Sequence, residues 1–252
     1  MYSINLKLIL KSFLILFLFQ SCIKDDDDSN LMCYDECTTI KGKVFKDGGE
    51  GVKNVEISLH YWHKDKFAYI KRKIGKSITD SNGYYKMVVY LHDSETDRGR
   101  GNLELRINNK NLETSLTNDF LKPSEVEQGV SAEYDKYRID DIVEKESTLE
   151  IDYFIPLKSK KSIISLNNFS STSKDDNFFF SLHVPYGFPN KYVYPIQEER
   201  FANSLNNEFN VVTIIGKNTV IVTKRKNGNL ENIKKEIEIL EKNKNFNISY
   251  DY

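Results

Sequence analysis

The stretch Lys76-Ser77-Ile78-Thr79-Asp80-Ser81-Asn82-Gly83-Tyr84-Tyr85-Lys86-Met87-Val88-Val89 places a polar turn directly before an alternating strand. Asp80 and Asn82 can hydrogen-bond to nearby backbone groups, and Gly83 can adopt the positive φ that closes a tight turn. After the turn, Tyr85 points toward the interior of a sheet structure. This stretch therefore predicts a structural turn followed by a core strand.

On both sides of the turn, apolar residues alternate with polar ones, which is typical of strands buried on one face. Residues 48–51 are rich in glycine and mark a turn between the first two runs, at 40–44 and 55–61. The alternating positions are Ile40, Gly42 and Val44, then Val55, Ile57, Leu59 and Tyr61, then Leu103, Leu105 and Ile107, and finally Leu149, Ile151, Tyr153 and Ile155. These runs predict a β-sandwich.

The order of the motifs resembles that of a known domain family. I-x-G-x-V at 40–44, G-V-x-x-V-x-I-x-L at 51–59 and T-D-x-x-G-x-Y at 79–85 resemble the carboxypeptidase regulatory-like domain of the transthyretin-like (prealbumin-like) superfamily. The resemblance covers residues 38–90 and implies a transthyretin-like sandwich over residues 38–157. That superfamily includes a purine-pathway hydrolase, but this chain lacks the Tyr-Arg-Gly-Ser ending associated with it.

The second half also reads as strands. Residues 158–162 are basic and polar, which suits a domain boundary. Residues 230–240 fit either a helical stripe or a strand, and we favour a hairpin because Asn227-Gly228 is a strong two-residue turn signal. The predicted fold class is all-β, with two tandem β-sandwiches. The second, over residues 158–252, is expected to be immunoglobulin-like or fibronectin-like.

The first 21 residues have the features of a secretory signal peptide. Lys7 and Lys11 come before an apolar run at 13–19, which is too short to span a bilayer. The Ser21-Cys22 pair that follows resembles the lipobox of bacterial lipoproteins, whose cysteine is acylated. This resemblance implies lipidation of Cys22; the alternative is an ordinary secretory signal with a chance cysteine.

An acidic stretch follows the cysteine. Lys24-Asp25-Asp26-Asp27-Asp28 resembles the export signal that sends some lipoproteins of gram-negative lineages to the cell exterior. The resemblance implies an outer-membrane lipoprotein exposed on the cell surface; the alternative is a spacer facing the periplasm. Because adjacent carboxylates repel one another and stay solvated, we predict a disordered tether over residues 23–31, within a linker spanning 22–37.

Composition limits the kind of partner. The formal net charge is −1, which does not suit electrostatic binding of nucleic acid. With Cys22 acylated, Cys33 and Cys37 remain as an even pair in an oxidising compartment, where a disulfide is favoured and free thiols are the alternative. A metal is disfavoured because no histidine near the C-x-x-x-C spacing completes four ligands.

Trp62 is the main candidate for ligand contact. Alternation places it on the face opposite Ile57 and Leu59, where Trp62 with Tyr61 could form an aromatic platform for a sugar or a partner, unless a loop covers it. His60 and His63 fall on opposite faces of the strand and are poor joint metal ligands.

The chain carries few signs of catalysis. It lacks G-x-S-x-G, H-E-x-x-H and a glycine-rich phosphate loop. Asp93, Glu95, Asp97 and Glu104 have calcium-loop spacing, but Arg98 stands where that loop needs glycine. We therefore expect no cofactor, no metal and no enzymatic activity. The predicted function is a non-catalytic surface lipoprotein that binds a protein or glycan or acts as a spacer; the alternative is an accessory enzyme or substrate-capture subunit for polysaccharide uptake.

Overall fold

The structure is a computed structural model that describes residues 24–64, 69–96, 101–126, 134–139, 143–159, 162–168, 175–189, 194–201, 207–242 and 246–251. Strands dominate this part of the chain and only short helices accompany them, so the predicted all-β fold class is confirmed. No helix within these ranges is long and apolar enough to cross a membrane.

The first half contributes nine strands and three short helices among the described residues. In chain order they are β1 (Lys24–Asp27), β2 (Cys37–Lys46), β3 (Glu56–Lys64), β4 (Tyr69–Ile78), β5 (Tyr84–Tyr90), α1 (Asp93–Thr96), β6 (Asn102–Asn108), α2 (Asn109–Ser115), α3 (Pro123–Val126), β7 (Tyr134–Ile139), β8 (Thr148–Glu150) and β9 (Tyr153–Ile155).

These strands form two sheets. The large sheet has the order β1-β4-β3-β6-β7 and is antiparallel except for the parallel pair β1–β4. The small sheet has the order β5-β2-β8, and β9 also pairs with β2. Because β1 pairs with β4, it covers a sheet edge that would otherwise present unpaired backbone groups.

Inward-facing side chains of both sheets form one hydrophobic core. It contains Ile57, Leu59, Leu103 and Leu105 from the large sheet, and Ile40, Val44, Tyr85 and Met87 from the small sheet. The Tyr85 hydroxyl donates to the Ile151 carbonyl over 2.5 Å, and burial raises the pKa of this phenol well above its usual range. Val184, Tyr186, Phe188 and Ile214, which come after residue 158, pack into the same core.

The turn before β5 has the local bonds that its sequence allows. Gly83 has φ +81°, and the Asp80 Oδ1 atom accepts from the Asn82 and Tyr84 amides at 2.8 and 2.9 Å. The Gly83 carbonyl accepts from the Val44 amide at 2.9 Å. This last bond ties the turn to the adjacent β2.

The second half contains β10 (Ser162–Asn167), β11 (Asn177–Val184), β12 (Tyr194–Phe201), β13 (Asn207–Val211), β14 (Gly216–Lys226), β15 (Asn229–Ile239) and β16 (Asn247–Asp251). They form the sheets β13-β10-β16 and β12-β11-β14-β15. A second core includes Ile164, Leu166, Phe178, Phe180, Val220 and Val222.

The hairpin predicted at Asn227-Gly228 is confirmed. Both residues have positive φ, +52° and +79°, as a type I′ hairpin turn requires, and Lys226 pairs with Asn229 across it. The alternative helix over residues 230–240 is not formed, because β15 pairs along its whole length with β14.

The predicted disordered tether is wrong over the described part of residues 23–31. Lys24–Asp27 lies beside Ile70–Lys73 as a parallel strand. Beyond it, the Asp28 amide donates to the Lys73 carbonyl at 2.8 Å. Arg72 of β4 binds Asp28 at 2.6 Å, so the acidic stretch is part of the first sandwich.

Candidate functional site: the outer face of the large sheet

The outer face of the large sheet carries the polar side chains of β3. Alternation directs Ser58, His60 and Trp62 to this face, since Ile57, Leu59 and Tyr61 are buried in the core. Neighbouring strands place long charged side chains beside them. His60 lies opposite Lys73 and Glu104, and Trp62 lies opposite Lys71 and Asn102.

A concavity of about 390 Å³ lies on this side of the sheet, lined by Asp26, Asp27, His60, Tyr61, Lys71, Lys73 and Arg106. Arg106 donates from Nε to Glu104 Oε1 at 2.5 Å and faces Ser58 across the ladder. The cations come from β4 and β6, and the carboxylates from β1 and β6. The site therefore presents both signs of charge around a partly buried histidine.

His60 is neutral at physiological pH. Its Nε2 atom is hydrogen-bonded to Ser58 Oγ at 2.9 Å. Burial lowers the pKa of His60 to about 4, and the positive charges of Arg106 and Lys73 add to that effect. The positive charge of the face therefore comes from lysine and arginine, and His60 acts there as a neutral hydrogen-bonding group.

The two aromatic residues proposed as a platform are separated by the fold. Trp62 lies on the outer face and is partly exposed. The expectation that Tyr61 shares this platform is wrong, because Tyr61 points into the core with 6% of its surface exposed, and its hydroxyl donates to the Ser94 carbonyl at 3.3 Å. Neighbouring residues of a strand face opposite sides, so of these two only Trp62 lies on the outer face.

Those remaining candidate residues that the structure describes have structural contacts. Cys33 and Cys37 form a disulfide with Cα atoms 5.7 Å apart. Asp93 is paired with Lys145 at 2.6 Å, and Asp97 lies outside the described residues, as does Cys22. Within the described ranges, no group of three or more histidine, cysteine and acidic side chains is placed to hold a metal ion.

A buried ion-pair network surrounds Arg72 and was not predicted from the sequence. Arg72 binds Asp28 Oδ2 through Nε and Glu95 Oε2 through Nη1, both at 2.6 Å, and Nη2 donates to the Tyr90 carbonyl at 3.3 Å. The Glu95 carboxylate also accepts from the His92 amide at 2.9 Å. Arg72 shares its alternation phase with Ile70 and Ile74, which is the sequence signal that could have identified an inward-facing arginine.

Comparisons with known proteins add little to this picture. No family model matches the chain, and no curated protein matches it. A DUF3823 family protein from Parabacteroides merdae superposes at TM-score 0.26 and 10% identity, over 81% of this chain and 98% of that one. A putative cell adhesion protein from Bacteroides ovatus superposes at TM-score 0.23 and 12% identity, over 87% and 94%.

A third similarity involves a longer protein. The Bacillus anthracis TIE protein superposes at TM-score 0.27 and 10% identity, over 85% of this chain and 34% of that one, so the present chain spans about a third of its length. At such TM-scores the similarities carry no functional argument.

Proposed function

We propose that the protein is a non-catalytic lipoprotein, anchored through Cys22 to the outer membrane and displayed on the cell surface, that binds an acidic glycan on the outer face of the large sheet. The apolar run before Ser21-Cys22 and the acidic stretch after it support the anchor and the address. A protein partner with an acidic surface is the alternative occupant of the same face.

We infer the ligand class from the position of Trp62, which lies beside Lys71 and one strand away from Lys73 and Arg106. An indole ring offers an apolar surface on which a sugar ring can stack. Cations within reach of that ring attract the carboxylates or sulfates of an acidic polysaccharide. A face with both features favours an anionic sugar polymer over a neutral one.

Trp62 is the only tryptophan in the chain, so its fluorescence reports binding directly. We expect polygalacturonate to change Trp62 emission and uncharged dextran to leave it unchanged. Lys71→Gln with Lys73→Gln should weaken the polygalacturonate affinity several-fold and flatten its salt dependence, because two cations leave the face. Titration of the full chain at two salt concentrations measures both effects.

The matched control is Lys53→Gln with Lys235→Gln, which removes two exposed lysines elsewhere. An equal loss of affinity in both double variants would contradict a specific site. Binding of dextran that depends on Trp62 alone would favour the substrate-capture alternative, and release of reducing sugar would contradict the non-catalytic assignment.

Asp28 must be spared in any test of the export signal. Because Asp28 binds the buried Arg72, replacing all four aspartates would alter the fold and the sorting signal together. Substituting Asp25, Asp26 and Asp27 with asparagine leaves the Asp28–Arg72 pair intact.

A further inference from the structure

The anchor residue is close to the folded sandwich. Lys24, the first residue of β1, follows Cys22 with only Ile23 between them. Consecutive Cα atoms are about 3.8 Å apart, so the Cys22 Cα lies within about 8 Å of the Lys24 Cα. A bilayer headgroup layer is about 6 Å thick, so an acylated Cys22 holds this end of the sandwich against the lipid surface.

The end held in this way is identified by strand register. Lys24 lies beside Ile70 near the start of β4. Cys37, at the start of β2, pairs with Tyr90 at the end of β5. Tyr90 lies near the start of β4, because its carbonyl accepts a hydrogen bond from Arg72, two residues beyond Ile70.

Exposed apolar side chains are concentrated at this end. Leu31, Met32 and Tyr34 are 70%, 77% and 88% exposed, and they line a 410 Å³ depression together with Arg72 and Tyr90. With Ile70 and Tyr90 they make five of the ten large apolar side chains that are exposed in the described part of the chain. We call Leu31, Met32, Tyr34, Ile70 and Tyr90 the anchor-side surface.

From this juxtaposition we infer that the anchor-side surface docks on the lipid bilayer, with the disulfide loop of Cys33 and Cys37 inserted among the headgroups. The inference rests on the lipid anchor of the proposed function. Apolar side chains of interfacial segments bury about 5–10 Å into the headgroup boundary. The Cys33–Cys37 bond holds the loop in one conformation and so limits the entropy lost when its side chains insert. The partner of the anchor-side surface is therefore a membrane, because the short distance from Cys22 brings this surface into contact with lipid.

Methionine oxidation tests this docking with native probes. After signal removal, Met32 and the buried Met87 are the only methionines, and Leu240→Met adds a reference, since Leu240 is 78% exposed and Met32 is 77% exposed. The lipidated variant is added to phosphatidylcholine vesicles and treated with a membrane-impermeant oxidant. Neutral lipid is chosen because carboxylates, including Asp35, lie beside the loop.

We expect Met32 to be oxidised several-fold more slowly than the methionine introduced by Leu240→Met, and the two to react alike when Cys22→Ser removes the anchor. Adding Leu31→Ser with Tyr34→Ser should remove the protection of Met32, whereas Tyr84→Ser, at the opposite end of β5, should keep it. Met87 should stay slow throughout because it is buried.

The possible failures are distinct. Equal oxidation on vesicles, with the protein sedimenting with them, would overturn the docking and leave the anchor standing. A protein that does not sediment with vesicles would overturn both. Protection of Met32 in the Cys22→Ser chain without vesicles would assign the surface to a second copy of the protein and overturn docking on lipid.

Discussion

Gly83→Ala should destabilise the protein far more than Gly48→Ala, although both glycines have similar positive φ values, +81° and +87°. A Cβ on Gly83 would lie 2.3 Å from the Val44 carbonyl oxygen and 2.7 Å from the Gly51 Cα, and backbone atoms cannot rotate away. A Cβ on Gly48 would meet nothing within 4 Å. Gly48→Ala therefore measures only the cost of placing an L-residue at positive φ.

The left-handed conformation costs an L-residue about 1–2 kcal/mol, which is the loss we expect at Gly48. At Gly83 we expect a loss on the order of 4 kcal/mol or more, the range of severe backbone and packing conflicts. Urea unfolding of the full chain, followed by Trp62 fluorescence, measures both. Equal losses in the two variants would show that the turn does not pack against β2.

Glu95→Leu should cost about 3–5 kcal/mol, because it leaves the Arg72 guanidinium buried without one of its two carboxylates. The side chains of Arg72 and Glu95 are 9% and 3% exposed. The matched control is Glu236→Leu, which removes a carboxylate bound by Lys217 and Lys234 at the surface. The control should cost far less, because exposed ion pairs contribute little.

Adding Arg72→Met to Glu95→Leu should recover much of the lost stability, since an apolar pair removes the unpaired charge. Asp28, which is 31% exposed, can then return to water. Unfolding of the single and double variants in urea gives the coupling energy between the two sites. A double variant less stable than Glu95→Leu alone would contradict a network dominated by the buried charge.

Alternation predicted the core strands of the first sandwich because each has one buried and one polar face, as in β3 with Ile57 and Leu59. The hairpin at Asn227-Gly228 was predicted because its turn chemistry is local. Both signals lie within a few residues of the structure that they specify, so a single sequence carries them.

The strand β1 could not be predicted in this way. Four adjacent aspartates indicate a solvated segment, and the strand that pairs with them, β4, is more than forty residues away in the chain. Pairing between such distant segments leaves no local pattern in the chain. The same reason explains why Asp28 was interpreted only as part of an export signal, when the fold also uses it to hold Arg72.

The candidate site was predicted in part. Trp62 was placed on the correct face by alternation, whereas Tyr61 lies in phase with Ile57 and Leu59 and is buried with them. Lys73 and Arg106 come from neighbouring strands, and their position beside His60 depends on strand register. Register is set by turns and bulges, including the irregularity between Leu59 and His60, which the alternating pattern does not reveal.

The central claim is that a lipid on Cys22 holds the sandwich at the membrane, and metabolic labelling with an alkyne fatty acid tests it most directly. The account predicts that the wild-type protein carries the label, that Cys33→Ser with Cys37→Ser keeps it, and that Cys22→Ser loses it. Label retained by Cys22→Ser, or absent from the wild-type protein, would contradict the account.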